Sequence, residues 1–97
     1  MSTEIDCLFD NFDEEYFSIF YILSDGNIGA FTLLLTLQNE IDQSRLIPFL
    51  KNLWIKKIIG DRLWYIYKNE CSESIHKLLK KDLSPFDDTY FYEKFNE

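Results

Sequence analysis

The sequence predicts an all-α protein, a compact orthogonal bundle of five or six short helices. Apolar residues recur at helical spacing, and the alternation typical of strands is almost absent. Cap residues and glycines divide the chain into segments too short for an up-down four-helix bundle. The chain has 97 residues, 46% hydrophobic and 18% aromatic, so it can build one core but not two domains.

The first predicted helix covers residues 12–23. Asn11, three positions before Glu14, forms a start that is similar to a capping box. Apolar residues then recur every three or four positions, which places them on one helix face. They are Phe12, Tyr16, Phe20 and Leu23. Gly26 ends the helix, because glycine adopts the left-handed conformation of a helix C-terminus without steric cost.

The second predicted helix covers residues 28–39 and is apolar over most of its surface. The side chain of Asn27 can cap its N-terminus. Because its polar residues form only a narrow strip, we expect it to be the central and most enclosed element. Gly29, near its start, would let a neighbouring backbone approach closely.

The third predicted helix covers residues 45–54. Ser44 is its expected cap, and Pro48 falls in or near its first turn, where the missing amide hydrogen costs little. Residues 55–59 are compatible with a short helix, a turn or an extended connector, and the sequence does not choose between them. Gly60 then starts the fourth helix.

Serine residues mark the start of the last two predicted helices. Ser72 or Ser74 can cap the fifth helix. Ser84 followed by Pro85 predicts the start of the last one, since proline suits the first helical position. The core of the bundle is expected to centre on seven large residues. They are Phe31, Leu34, Leu35, Leu53, Leu63, Trp64 and Leu78.

Charge is distributed in three blocks. Residues 1–25 hold seven acids and no base, residues 26–81 hold nine bases and five acids, and residues 82–97 hold five acids and one lysine. The net charge of −7 opposes general binding of nucleic acid or of an anionic membrane, both of which require positive surface. Two interpretations stay open: the acidic ends fold over the basic middle block, or they attract a basic partner.

Targeting and membrane signals are weak. The N-terminal residues are acidic where a secretory signal would be basic. The apolar stretch 28–37 has about half of the ~20 residues that span a bilayer. Cys7 and Cys71 can form at most one disulfide, too few for a secreted disulfide-rich mini-protein. We expect an intracellular, non-membrane protein with reduced thiols and one domain over 1–97, flexible only in its acidic segment 1–11.

Residues with catalytic or metal-binding chemistry are poorly spaced. Cys71 and His76 lie five positions apart, whereas a structural zinc site needs four ligands in paired spacings. A Cys–His catalytic pair also needs a third, orienting group. The segment 25–29 lacks both the ligand series of a calcium loop and the lysine of a P-loop. We therefore expect no enzyme activity, no metal site and no cofactor.

Two alternatives from other functional classes stay open. A helix-turn-helix over residues 45–70 would present Arg62, Tyr65 and Lys68 to nucleic acid, which the net charge opposes but the basic middle block does not. A nucleotide-binding or other small-ligand-binding helical oligomer would use the positive ends of its helices and the lysines of the middle block.

Two short motifs resemble those of small, uncharacterised helical accessory proteins of phages and large DNA viruses. The first is Asp25-Gly26-Asn27-x-Gly29-Ala30, and the second is Gly60-x-x-Leu63-Trp64-x-x-Tyr67-Lys68-x-x-Cys71. The resemblance covers residues 24–80 and implies no catalytic activity. It implies a viral context, in which such a protein binds a host or defence component.

Protein binding is therefore the function that the sequence favours. Carboxylates attract a basic surface, and tyrosine combines apolar area with a polar tip that suits interfaces. The expected partner-binding residues are Asp10, Asp13, Glu14, Glu15, Tyr90 and Tyr92. The aromatic residues of the last helix either fill the core or form an interface, and in the second case they predict a homodimer.

Overall fold

Helices account for the regular structure of the residues that the computed structural model describes, 4–96. They are α1 (Glu4–Asp10), α2 (Phe12–Ser24), α3 (Ile28–Glu40), α4 (Gln43–Ile55), α5 (Asp61–Glu70), α6 (Ile75–Lys80) and α7 (Asp88–Phe95). Residues 4–96 contain no strand. The radius of gyration is 12.9 Å, close to the ~13 Å expected of a compact chain of this length. The prediction of a compact all-α bundle is confirmed, with seven helices described instead of five or six.

The first helix, α1, lies where the sequence analysis expects flexibility. Residues 4–10 are helical, and residues 1–3 lie outside the described part of the chain. Ile5 and Phe9, one turn apart, are buried in the core. Because a helix of seven residues is unstable alone, these two tertiary contacts are what hold it in place.

The helix caps agree only in part with the prediction. Asn27 caps α3, since its Oδ1 accepts the N–H of Ala30 at 2.8 Å. Ser74, the second of the two candidates, caps α6 through its hydroxyl oxygen. Asn11 precedes α2 as predicted but makes no side-chain cap. Its amide instead donates to the carbonyl of Cys7 at 3.4 Å and links α1 to α2.

The start of α4 corrects the prediction. The helix begins at Gln43 with Asp42 as the cap residue, so Ser44 is not the cap. Pro48 consequently lies inside the helix, in its second turn. The carbonyl of Ser44 loses its usual helical donor there, but both residues are exposed, so water can satisfy it.

The start of α7 is also later than predicted. The helix begins at Asp88 rather than at Ser84-Pro85, and the Oδ1 of Asp87 accepts a backbone N–H at 2.9 Å as the cap. Residues 84–85 form a turn instead. In this turn the amide of Phe86 donates to the carbonyl of Leu83, and both side chains are buried. Core packing therefore selects the second of two possible caps.

The ambiguous connector at residues 55–59 is a turn. Lys57 has a positive φ of 57°, and the amide of Ile58 donates to the carbonyl of Leu53 at 2.9 Å. This is the Schellman pattern of a helix C-terminus, in which a left-handed residue returns the chain toward the helix. Ile58 is fully buried as a result.

The core contains four of the seven predicted residues. Leu34, Leu53, Leu63 and Leu78 are fully buried, whereas Phe31, Leu35 and Trp64 are half-buried and pack against the edge of the core. The central position of α3 is borne out by its contacts with α2, α4 and α5. Its enclosure is not complete, since Ile28 is 82% exposed. Packing on three neighbours still leaves one side of the first turn open to solvent.

Candidate protein-interaction surface

The α2–α3 turn and the α4–α5 turn pack directly against each other, and we call this contact the turn junction. The amide of Gly60 donates to the carbonyl of Leu23 at 2.8 Å. The side-chain amide of Asn27 donates to Asp61 Oδ1 at 2.8 Å. Gly60 has a φ of +58°, and a Cβ there would lie 3.0 Å from the Cβ of Asp25. Glycine is therefore required by both conformation and space.

The indole of Trp64 lies on Gly29 beside the turn junction. A Cβ at Gly29 would be 2.9 Å from Cδ2 and Cε2 of the ring, so the missing side chain is what admits the indole. Tyr67 lies on α5 one turn later, with its ring centroid 5.6 Å from that of Trp64. Gly29 thus permits a close approach as predicted, but the approaching group is a ring and not a backbone.

The turn junction brings together the two motifs that carry the viral resemblance. Their contacts there are a helix cap, backbone and side-chain hydrogen bonds, and ring packing. Cys71, which ends the second motif, is buried, and burial raises the pKa of its thiol. A raised pKa disfavours the reactive thiolate. The structure therefore gives both motifs a role in holding α2, α3 and α5 together.

The acidic residues predicted to bind a partner are accessible. Asp10, Asp13 and Glu14 are exposed, and Glu15 is half-buried. Within residues 4–96 none of the four forms an ion pair, and Asp13 accepts a hydrogen bond only from the neutral amide of Gln43. No base within residues 4–96 therefore lies at ion-pair distance from these carboxylates.

Four apolar side chains form an exposed surface between α2 and α3, which we call the α2–α3 face. Its members are Phe17, Tyr21, Ile28 and Phe31. Phe17 is 57% exposed, Tyr21 71% and Ile28 82%, while Phe31 is half-buried. The rings of Phe17 and Phe31 meet edge to face with centroids 5.1 Å apart. Together with the α2–α3 turn they line a cleft of about 340 Å³.

Helix geometry places acidic residues at one end of this face. Asp13 and Glu14 lie four and three positions before Phe17, and Tyr21 lies four positions after it, so all share the outer side of α2. The exposed aromatic residues of α2 thus follow directly on two carboxylates.

The α2–α3 face is not among the predictions from the sequence, although the sequence contains a signal for it. The inward residues of α2 are assigned correctly, and Phe17 and Tyr21 fall about 140° and 180° around the helix from Phe12. Large apolar residues on the outer side of an amphipathic helix are the signal. Ile28 gives no such signal, because α3 is apolar on nearly all sides.

The two predicted tyrosines differ in their surroundings. Tyr90 is half-buried, and its hydroxyl donates to Glu70 Oε1 at 3.1 Å. Burial, followed by this hydrogen bond, raises the pKa of Tyr90 to about 12. Tyr92 is 69% exposed. Both belong to α7, which pairs with α5 through Arg62 and Asp88 at 2.8 Å, whereas the four predicted acidic residues lie on α1 and α2.

The helix-turn-helix alternative predicts three exposed residues on α5, and the structure leaves only one exposed. Arg62 is half-buried, with its guanidinium over the ring of Phe91 at 4.9 Å from the centroid. Tyr65 is half-buried against Phe95, with centroids 5.4 Å apart. Lys68 is exposed. Helix α7 therefore covers much of the surface that a recognition helix would present.

A second cleft, of about 690 Å³, is of mixed charge. Its lining combines apolar residues with two bases and two acids: Asp6, Asp25, Trp54, Ile55, Lys57, Ile59 and Arg62. The carboxylates oppose a phosphate-bearing ligand there. In residues 4–96, no group of three or more His, Cys, Asp or Glu side chains is placed to hold a metal ion.

Comparison with known proteins gives no family assignment. No protein-family model, curated protein or solved structure matches this chain. Within the described part of the chain, no helix combines the length and apolar character needed to cross a membrane.

Proposed function

We propose that this chain is a non-enzymatic protein-binding module that attaches to a basic surface of another protein. The observation that supports it is the exposed charge of Asp10, Asp13 and Glu14 on α1 and α2, none of which forms an ion pair within residues 4–96. Such a surface accelerates encounter with a cationic partner and disfavours acidic ones.

The resemblance to phage and large-virus accessory proteins extends this proposal. A viral accessory or inhibitory protein acting inside the host cell would bind a basic site on a host or defence protein. Charge then supplies the recognition, and no covalent chemistry, metal or cofactor is needed. The exposed rings of Tyr92 and Phe95 on α7 make self-association through that helix an additional proposal.

The experiment compares two variants with the same change in net charge. The first neutralises the proposed site with Asp10→Asn, Asp13→Asn, Glu14→Gln and Glu15→Gln. The control neutralises four exposed acids elsewhere with Glu40→Gln, Asp42→Asn, Glu73→Gln and Glu93→Gln. Each chain is used for quantitative affinity capture from producing or infected cells, and the captured protein is then purified for rate measurements.

The expected result is loss of a basic partner in the first variant and retention in the control. Association of the purified partner with the native chain should slow as salt is added, because screening weakens attraction between charged surfaces. Equal capture by both variants, or an association rate independent of salt, would contradict the proposal.

A further inference from the structure

The α2–α3 face is apolar area that the fold does not use. Three large side chains, Phe17, Tyr21 and Ile28, are more than half exposed in one continuous cleft with Phe31. Single exposed apolar residues are normal on a protein surface, whereas a contiguous group with a concave centre is typical of an interaction site. Aromatic residues are also enriched in the central part of protein interfaces.

The charges around the cleft select the occupant. Asp13 and Glu14 lie beside Phe17 at one end of it, and no base is among its lining residues. A second copy docked symmetrically would present the same face, which has no base to pair with these carboxylates. A segment with lysine or arginine beside its apolar anchors would instead complement them.

Backbone geometry selects the form of that segment. An extended peptide gains affinity by pairing with a free strand edge, and residues 4–96 contain no strand. A shallow cleft between two helices suits an amphipathic helix, which presents apolar anchors at three- and four-residue spacing.

We propose that the α2–α3 face binds a cationic amphipathic helix of a protein partner, whose apolar anchors enter the cleft among Phe17, Tyr21, Ile28 and Phe31. The cationic side chains of that helix pair with Asp13 and Glu14. This inference rests on the proposed function and adds to it where the anchor binds and what form it has. Charge then governs the association rate, and the apolar cleft governs the dissociation rate.

The test uses two synthetic helical peptides as probes. One carries leucines along one face and lysines along the other, and its counterpart has glutamate at every lysine position. Binding to the full chain is measured by fluorescence anisotropy, and the contacted residues are mapped by NMR chemical-shift changes. The lysine peptide should bind and shift the signals of the α2–α3 face, and the glutamate peptide should not bind.

Matched variants separate the cleft from other exposed apolar residues. Phe17→Ser with Ile28→Ser alters the cleft, whereas Ile55→Ser removes an apolar side chain elsewhere that is nearly as exposed as Ile28, and it is matched to Ile28→Ser alone. The cleft variant should raise the Kd for the lysine peptide about tenfold or more through faster dissociation, since central apolar anchors dominate interface energies. The control variant should bind as the native chain does. Ile28→Ser alone serves as a milder variant, and circular dichroism confirms that each chain is folded.

Three outcomes would overturn the inference. Absence of lysine-peptide binding to the native chain would show that this face does not bind a cationic helix. If the neutralised chain loses a captured partner while the cleft variant keeps full affinity for the peptide, the proposed function stands and the cleft is not its anchor site. If sedimentation shows a native dimer that the cleft variant dissociates, the occupant is a second copy.

Discussion

The turn junction and the α2–α3 face meet at consecutive residues. Side chains of the junction bond to partners within the chain, whereas most side chains of the face are exposed to solvent. Asn27 belongs to the junction and directs both ends of its amide to partners within the chain. Ile28, the next residue, belongs to the face and is 82% exposed. The junction is explained by folding alone. The face has no such explanation, which is why we propose that a partner helix binds there.

The junction can be broken most severely at Gly60. Gly60→Ala should lower the free energy of unfolding by about 3 kcal/mol, because a side chain there adds backbone strain of ~1–3 kcal/mol to a contact with Asp25. Gly26→Ala is the matched control, since Gly26 also has a positive φ, +83°, but a Cβ there has no neighbour within 4 Å. Gly26→Ala should lower the free energy of unfolding by only about 1 kcal/mol. Urea denaturation measures both, and equal losses would show that the contact between the turns contributes nothing.

The packing of Gly29 on Trp64 predicts that Gly29→Ala destabilises the native chain but stabilises a chain that lacks the Trp64 ring. In the native chain Gly29→Ala should lower the free energy of unfolding by about 1–2 kcal/mol, because the new Cβ displaces the indole. In a Trp64→Ala background the same substitution should stabilise by about 0.5–1 kcal/mol, the usual helical advantage of alanine. A double-mutant cycle by thermal or urea unfolding measures this coupling. The same sign in both backgrounds would mean that the ring moves aside freely.

The smallest expected effect concerns Tyr90, whose hydroxyl is bonded within the chain. Its pKa is about 12 in the folded state against 10.0 for an ordinary tyrosine. The unfolded chain therefore loses this proton first as pH rises, so the stabilisation is complete below pH ~10 and disappears between pH ~10 and ~12. Tyr90→Phe should flatten the fall in stability over this range, as measured by urea unfolding at several alkaline pH values. An unchanged profile would show that this hydroxyl does not contribute.

Local signals in the sequence predict much of the fold because they act over a few residues. The cap at Asn27 is found from a polar residue before an apolar run, and the burial of Phe20 and Leu23 from their periodicity. Such signals fail where two sites are locally equivalent. Ser84 and Asp87 are both good caps, and only the burial of Phe86 decides between them.

The candidate site is predictable only in part. Accessible acidic residues on α1 and α2 follow from the density of charge, since several carboxylates cannot all be buried. The α2–α3 face depends on which neighbours cover each helix. No local pattern distinguishes Tyr90 from Tyr92, which lie two positions apart. Helix α5 nevertheless partly covers Tyr90 and leaves Tyr92 exposed.

The sequence by itself determined the helical class, most helix positions and the acidic character of the N-terminal part, because periodicity, caps and charge are properties of neighbouring residues. Only the tertiary structure decided that α1 is anchored, that Gly60 and Gly29 join distant turns and helices, and that Phe17, Tyr21 and Ile28 are exposed together. Contacts between residues far apart in the chain depend on how helices pack, which no local pattern specifies.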